Sequence, residues 1–178
     1  GSIIRYNIFH HCGGFGKSNS WQPVRNGKVQ FHYPGFTWGI YLDAPEVGMT
    51  VFGNVLYDVP VCGMFNHEGR DNTWENNIVV NAAVQLRRLH GGCVCCNDLW
   101  NTTLELAEGE RVEHNISADP IFCDPEGGNF TISRRSPCSA DSVPEGCQAM
   151  GAFAPDCDLL PVRKVTWGGL KHLLGGRR

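Results

Sequence analysis

The sequence predicts an all-β chain that folds as a parallel β-helix of about five coils. Three observations lead to this prediction. A column of asparagines recurs about every 20 residues, and a second column of short apolar segments keeps step with it. The composition also favours turns, because 22 Gly and 10 Pro occur among the 178 residues. Each repeat is too short for a βαβ unit and shows no helical period.

The asparagine column defines the coils. Its members are Asn7, Asn54, Asn77, Asn97 and Asn115, and the last four are separated by 23, 20 and 18 residues. Asparagine tolerates the left-handed backbone region, so we expect each of these residues to form a sharp bend between strands. Stacked asparagines also bond to the amides of their neighbours, which gives the column a second physical reason.

The strand column gives the inside and outside of the coils. Segments 39–43, 63–67 and 83–87 align, at 13 or 14 residues before an asparagine of the first column. Alternation places one set of side chains in the interior. These are Ile40, Leu42, Met64, Asn66, Val84 and Leu86. A unit this small cannot bury its apolar face alone, so the units must stack.

The charge pattern separates the body of the chain from its tail. The net charge is −3, yet all 18 acidic residues lie at or before Asp158, and the last 20 residues carry five Lys or Arg and no acid. An acidic body disfavours nucleic acid as a partner. No run of 18 apolar residues occurs, so no membrane span is expected. We expect a monomer with a basic tail at 158–178.

Nine cysteines predict disulfides and therefore a secreted or cell-surface protein. Cys123, Cys138, Cys147 and Cys157 lie in a Pro/Gly-rich segment and allow three pairings. Of these we favour Cys138 with Cys147 and Cys123 with Cys157. The opening segment GSIIRYNIFHHC is apolar and strand-like and lacks the pattern of a signal peptide, so we expect the sequence to begin inside a fold.

A second group of cysteines is crowded into the sequence CVCC, at Cys93, Cys95 and Cys96. One interpretation is a strand of small buried residues with a disulfide to Cys62. The other is a zinc site that also uses His90 and His114. The spacing differs from the CxxC pattern in which two thiolates converge on one metal, so we predict no metal site.

The segments WGIYLD, VFGNVLYDV, GRDNTWENNIVVN and VEHNISADPIFCDPEGGNFTI resemble the right-handed parallel β-helix superfamily, the pectate-lyase-like fold. The Cys-containing segment 119–157 is also similar to the closing module of secreted bacterial β-helix proteins. The resemblance implies right-handed coils over residues 1–118, with a disulfide-stapled cap at 119–157. Because enzymes of this superfamily are longer, it also implies that N-terminal coils are missing. It does not imply one reaction, since this fold hosts lyases, hydrolases, esterases and fibres.

The outward positions of the strand column supply the candidate site. Stacked coils place Asp43, His67 and Arg87 in one row, with neighbours about 4.8 Å apart, and we assign these three residues catalytic roles. A carboxylate or imidazole moves protons, and Arg neutralises a uronate carboxylate. A sugar-contacting set surrounds the row. It comprises Trp38, Tyr41, Phe65, Arg70, Arg88 and His90. The alternative is a solvated outer face with an ion pair.

An insertion at 12–37 interrupts the repeat and is rich in aromatic residues. It suits either a substrate wall or a packed Ω-loop. The expected function is binding or cleavage of an extracellular polysaccharide by a lyase or glycoside hydrolase type of module. We expect no cofactor, except that a lyase would use Ca²⁺ at the uronate. The alternative from another class is a structural or adhesive surface module without chemistry.

Overall fold

The computed structural model of the chain describes residues 1–14, 16–17, 31–35, 37–87 and 89–158. Three parallel sheets make up the body. The first sheet contains β1 (Ile3–Arg5), β6 (Thr50–Phe52), β9 (Thr73–Glu75), β12 (Cys93–Cys95) and β15 (Arg111–Glu113). The second contains β2 (Ile8–His10), β7 (Val55–Tyr57), β10 (Ile78–Val80) and β13 (Asp98–Trp100). The third contains β5 (Trp38–Leu42), β8 (Cys62–Asn66), β11 (Ala83–Leu86) and β14 (Thr103–Leu106).

The chain visits the three sheets in turn, which confirms an all-β parallel solenoid. Three turns run without interruption, through β6–β8, β9–β11 and β12–β14. Before them, β1 and β2 are separated from β5 by the insertion, whose described part is the antiparallel pair of β3 (Gly16–Lys17) and β4 (Phe31–His32). After them, β15 begins a further coil. The expected number of about five coils is therefore slightly too high.

The interior column predicted from alternation is confirmed. Ile40 pairs with Met64, and Met64 pairs with Val84, so the three side chains lie in one register, and all are buried. Val51, Leu56, Trp74, Val79 and Val94 fill the interior from the other two sheets. Burial of each aliphatic side chain contributes about 1.5–3 kcal/mol, so stacking of coils is the main source of stability.

The asparagine column lies at the corner between the first and second sheets. The side-chain oxygen of Asn77 accepts hydrogen bonds from the backbone N–H and the side-chain amide of Asn54, at 2.9 and 3.0 Å. Asn97 accepts the same pair from Asn77, at 3.0 and 2.9 Å. The predicted ladder of stacked asparagines is thus confirmed.

The conformational part of that prediction is wrong by one residue. The positive φ angle falls on the residue before each asparagine of the column. The residues concerned are Tyr6, Gly53, Asn76, Cys96 and His114, with φ between 54° and 61°. The asparagine itself is needed for its amide group, because only a side chain with both a donor and an acceptor can continue the ladder from coil to coil.

The closing segment lies against the side of the solenoid. Its antiparallel pair, β16 (Phe122–Asp124) and β17 (Asn129–Ile132), contributes Phe122, Phe130 and Ile132 to a second apolar cluster. This cluster also contains Val55, Ile78 and Val80 of the second sheet. Those positions therefore face outward from the solenoid and are covered by the segment. The predicted boundaries at 118 and 157 stay a prediction, and the tail beyond Asp158 lies outside the described residues.

One of the two favoured disulfides is confirmed. Cys123 pairs with Cys157, but Cys147 pairs with Cys96 across a sequence separation of 51 residues. The predicted Cys138–Cys147 bond is wrong, because the Cys138 thiol is buried and donates a hydrogen bond to Oδ2 of Asp98 at 3.1 Å. The disulfides indicate that the chain folds in an oxidising environment.

The three crowded cysteines, Cys93, Cys95 and Cys96, all form disulfides. Cys93 pairs with Cys95, while Cys96 is held by Cys147. These bonds remove the thiolates on which the zinc interpretation depended. The expected disulfide to Cys62 is wrong as well, since that thiol donates to the carbonyl oxygens of Met64 and Ala83, at 3.0 and 3.2 Å. Burial raises the pKa of Cys62 to about 11, which keeps the thiol protonated at neutral pH.

Candidate functional site

The candidate site lies on the outer face of the third sheet. Leu42, Asn66 and Leu86 occupy matching positions on β5, β8 and β11. The residues that follow them are Asp43, His67 and Arg87, and all three are exposed. The parallel register therefore brings the three predicted catalytic residues together at the C-terminal ends of adjacent strands, and their catalytic roles stay a prediction.

Asp43 and His67 form a pair. Nδ1 of His67 lies 2.9 Å from Oδ1 of Asp43, and both side chains are about half exposed. Because a carboxylate only accepts, His67 donates from Nδ1, and the neutral ring keeps its lone pair on Nε2. The hydrogen bond from His67, followed by the one from the Ala44 backbone N–H at 2.9 Å, lowers the pKa of Asp43. The carboxylate thus stays charged and orients the imidazole.

Arg87 belongs to a different pair. Its Nη2 atom lies 2.9 Å from Oε2 of Glu105, which is on the neighbouring strand β14. This hydrogen bond is also the main cause that lowers the pKa of Glu105. The predicted row therefore consists of an Asp–His dyad and a separate Arg–Glu ion pair. Glu105 was missed by the sequence reasoning, and the structure places it in register with Gln85 of the adjacent strand β11.

Three aromatic rings lie beside the dyad. The ring centroids of Trp38 and Tyr41 are 4.8 Å apart, and those of Tyr41 and Phe65 are 5.1 Å apart. Phe65 also stacks on His67, with 6.1 Å between centroids and 19° between planes. Tyr41 is hydrogen-bonded to Asp43, and burial, followed by this bond, raises the pKa of its phenol. We call Trp38, Tyr41, Phe65 and His67 the ring cluster.

Two other predicted sugar contacts, Arg70 and His90, lie in turns and not on the strands of this sheet. Arg70 forms an isolated bridge with Val47 in the turn between β8 and β9. His90 lies in the turn before β12, where it lines an open cavity of about 250 Å³ together with Glu108 and Arg111. Arg88 and most of the insertion lie outside the described residues, so the predicted substrate wall stays a prediction.

Within the described ranges, no group of three or more His, Cys, Asp or Glu side chains is placed to hold a metal ion. The same ranges contain no helix that is long and apolar enough to cross a membrane.

Together, the fold and the site define a parallel β-solenoid that carries a ring cluster and an Asp–His dyad on one exterior face. No protein-family model, curated protein or solved structure matches the chain.

Proposed function

We propose that this chain is an extracellular polysaccharide-binding module, and that the ring cluster on the third sheet is its binding surface. The observation that carries the proposal is the contact between the rings of Trp38, Tyr41 and Phe65 at centroid distances of 4.8–5.7 Å. Parallel strands hold these rings in a fixed register, so the surface is preorganised and little side-chain entropy is lost on binding.

The chemistry of the surface matches a sugar chain. Aromatic rings supply apolar contact area to the C–H faces of pyranoses, while the neighbouring polar groups satisfy hydroxyl groups. Asp43 accepts hydrogen bonds, and Nε2 of His67 accepts one more in the neutral ring. The Arg87–Glu105 pair adds a donor and an acceptor on the next two strands.

If the module also cleaves its ligand, the Asp43–His67 dyad is the candidate for proton transfer. Asp43 holds the imidazole by Nδ1 at 2.9 Å, which leaves Nε2 to remove or return a proton. Arg87 is engaged with Glu105 and is therefore the weaker candidate for neutralising a uronate.

Binding is tested with a panel of neutral and uronate-containing oligosaccharides, by calorimetry on the full chain. We expect Tyr41→Ala and Phe65→Ala each to weaken binding by about tenfold, since each removes one stacking partner. Phe153→Ala serves as a matched control, because Phe153 is an exposed ring on the closing segment. Equal binding by Tyr41→Ala, Phe65→Ala and the parent chain would refute the surface.

Cleavage is tested on the same panel by the absorbance of unsaturated products and by reducing ends. Asp43→Asn and His67→Gln are expected to abolish any activity while the sugar still binds. The rival function is a structural module without sugar chemistry, which the Arg87–Glu105 pairing favours because it resembles an ordinary surface ion pair. Absence of binding across the whole panel would support that rival.

A further inference from the structure

Two adjacent imidazoles lie at the end of β2, on the second sheet. His10 is the last residue of this strand, and His11 follows in the left-handed conformation with φ of 50°. Both residues are exposed, and their Nδ1 atoms lie 3.1 Å apart. The two rings meet edge to face, with 5.3 Å between centroids. The left-handed turn at His11 thus lies where the two ring nitrogens face each other.

A carboxylate on the next coil faces the second ring nitrogen of His11. Nε2 of His11 lies 3.5 Å from Oδ2 of Asp58. The negative charge favours a proton on Nε2, so the lone pair of the neutral ring lies on Nδ1, on the side of His10.

Asp58 is itself held by a second ladder of amides. Its Oδ1 atom accepts a hydrogen bond from Nδ2 of Asn81 at 2.7 Å, and Oδ1 of Asn81 accepts from Nδ2 of Asn101 at 2.5 Å. The carboxylate can only accept, so the direction of every bond in this ladder is determined by chemistry. The ladder therefore orients Asp58, which in turn orients His11.

Neighbouring rings restrict both imidazoles. His10 packs against Phe130 at 5.1 Å, and His11 packs against Tyr57 at 5.8 Å, measured between ring centroids. The backbone N–H of His11 also donates to the Tyr57 carbonyl at 3.0 Å. Such support lowers the entropy that the two side chains lose when they bind a common ligand.

We infer that His10 and His11 form a binding site for a late first-row divalent metal ion, with Cu²⁺ bound most tightly and Asp58 as the outer partner of His11. Metal–imidazole bonds of about 2.0 Å across the observed separation enclose an angle of roughly 100°. This angle lies between those of square-planar and tetrahedral sites. The ion replaces the proton between the two Nδ1 atoms, and His10 then carries its proton on Nε2. Imidazole ligands suit Cu, Ni and Zn, and the Irving–Williams order places Cu²⁺ first.

The site was not foreseen from the sequence and does not depend on the proposed sugar binding. The pair HH is visible at residues 10 and 11, but Asp58 comes 47 residues after His11. Only the stacking of β2 on β7 brings the carboxylate to the imidazole.

The test uses the full chain, stripped of metal by a chelator and carrying Cys12→Ser, so that the neighbouring thiol neither binds nor reduces the probe. Cu²⁺ alone is titrated by calorimetry in a non-coordinating buffer, and the bound ion is examined by electron paramagnetic resonance. We expect nitrogen hyperfine coupling from two imidazoles. His10→Gln and His11→Asn are each expected to weaken binding by at least about tenfold, and asparagine tolerates the left-handed turn at residue 11. Asp58→Asn is expected to weaken it by about tenfold through loss of the outer partner.

His114→Asn is the matched control, because His114 is another exposed histidine with a positive φ, of 54°. Its Cu²⁺ affinity is expected to equal that of the parent chain. The proposal is overturned if the double variant at His10 and His11 binds Cu²⁺ as tightly as the parent, or if the parent does not bind it. Full affinity in Asp58→Asn would overturn the role of the carboxylate.

Discussion

The substitution Asp98→Asn tests how much the buried carboxylate of Asp98 costs the folded protein. The carboxyl group is fully buried between the second sheet and the closing segment. Its Oδ1 atom accepts the Ala118 backbone N–H at 3.1 Å, and its Oδ2 atom accepts the Cys138 thiol at 3.1 Å. Asparagine has nearly the same shape. Its oxygen can keep the bond to Ala118, and its amide can face the sulfur without a charge.

The magnitude follows from the pKa of Asp98. Burial raises this pKa from 3.8 to about 6. One pKa unit corresponds to about 1.36 kcal/mol, so the buried charge costs about 3 kcal/mol once the carboxyl is ionised. Below the unfolded pKa both states are protonated and the penalty is absent. As the pH rises towards 6, the unfolded chain releases its proton first, and stability falls by up to about 1.4 kcal/mol per pH unit.

The assay is urea unfolding of the oxidised parent and of Asp98→Asn at several pH values from about 3.5 to 7.5. The quantity compared is the difference in unfolding free energy between the two proteins. We expect this difference to shift in favour of the variant by about 3 kcal/mol across that range. A difference that stays constant with pH would refute the reasoning, because it would mean that Asp98 titrates alike in the folded and unfolded chain.

Two further predictions concern the ladder and the disulfides. Asn77→Ala removes the acceptor for the Asn54 backbone N–H and the donor to the Val51 carbonyl, and we expect a loss of about 3 kcal/mol in unfolding free energy. Asn101→Ala on the exposed ladder is the control, with an expected loss below about 1 kcal/mol, and equal losses would contradict a special role for the buried ladder. Replacing Cys96 and Cys147 by Ser removes the crosslink that closes a loop of 51 residues. The unfolded chain then gains entropy, and we expect the unfolding free energy to fall by roughly 4 kcal/mol. Peptide mapping without reduction should recover this pair, and a Cys138–Cys147 peptide in its place would contradict the structure.

The repeat made the body of the fold predictable. Two columns that keep step in the sequence show which side chains face inward, and the structure confirms the register that they predict for Ile40, Met64 and Val84. The same register predicted that Asp43 and His67 would lie side by side, and the dyad at 2.9 Å follows from it. In a repeat protein each coil contacts only the coils next to it, so the period of the sequence is enough to predict which residues stack on each other.

Arrangements between segments without a common period were not predictable. Arg87 pairs with Glu105 on the next strand, because its long flexible side chain can reach carboxylates on more than one strand. Cys147 bonds to Cys96 because the closing segment folds back onto the second sheet, and no pattern in 119–157 shows that direction.

The sequence alone thus determined the solenoid, the interior column and the row that ends in Asp43 and His67, since each depends on spacing along one repeating chain. The tertiary structure decided the partner of Arg87, the buried contact of Asp98 with Cys138, and the meeting of His10 and His11 with Asp58. These contacts depend on side-chain reach and on the packing of segments distant in sequence, where several partners are chemically acceptable and only geometry selects one.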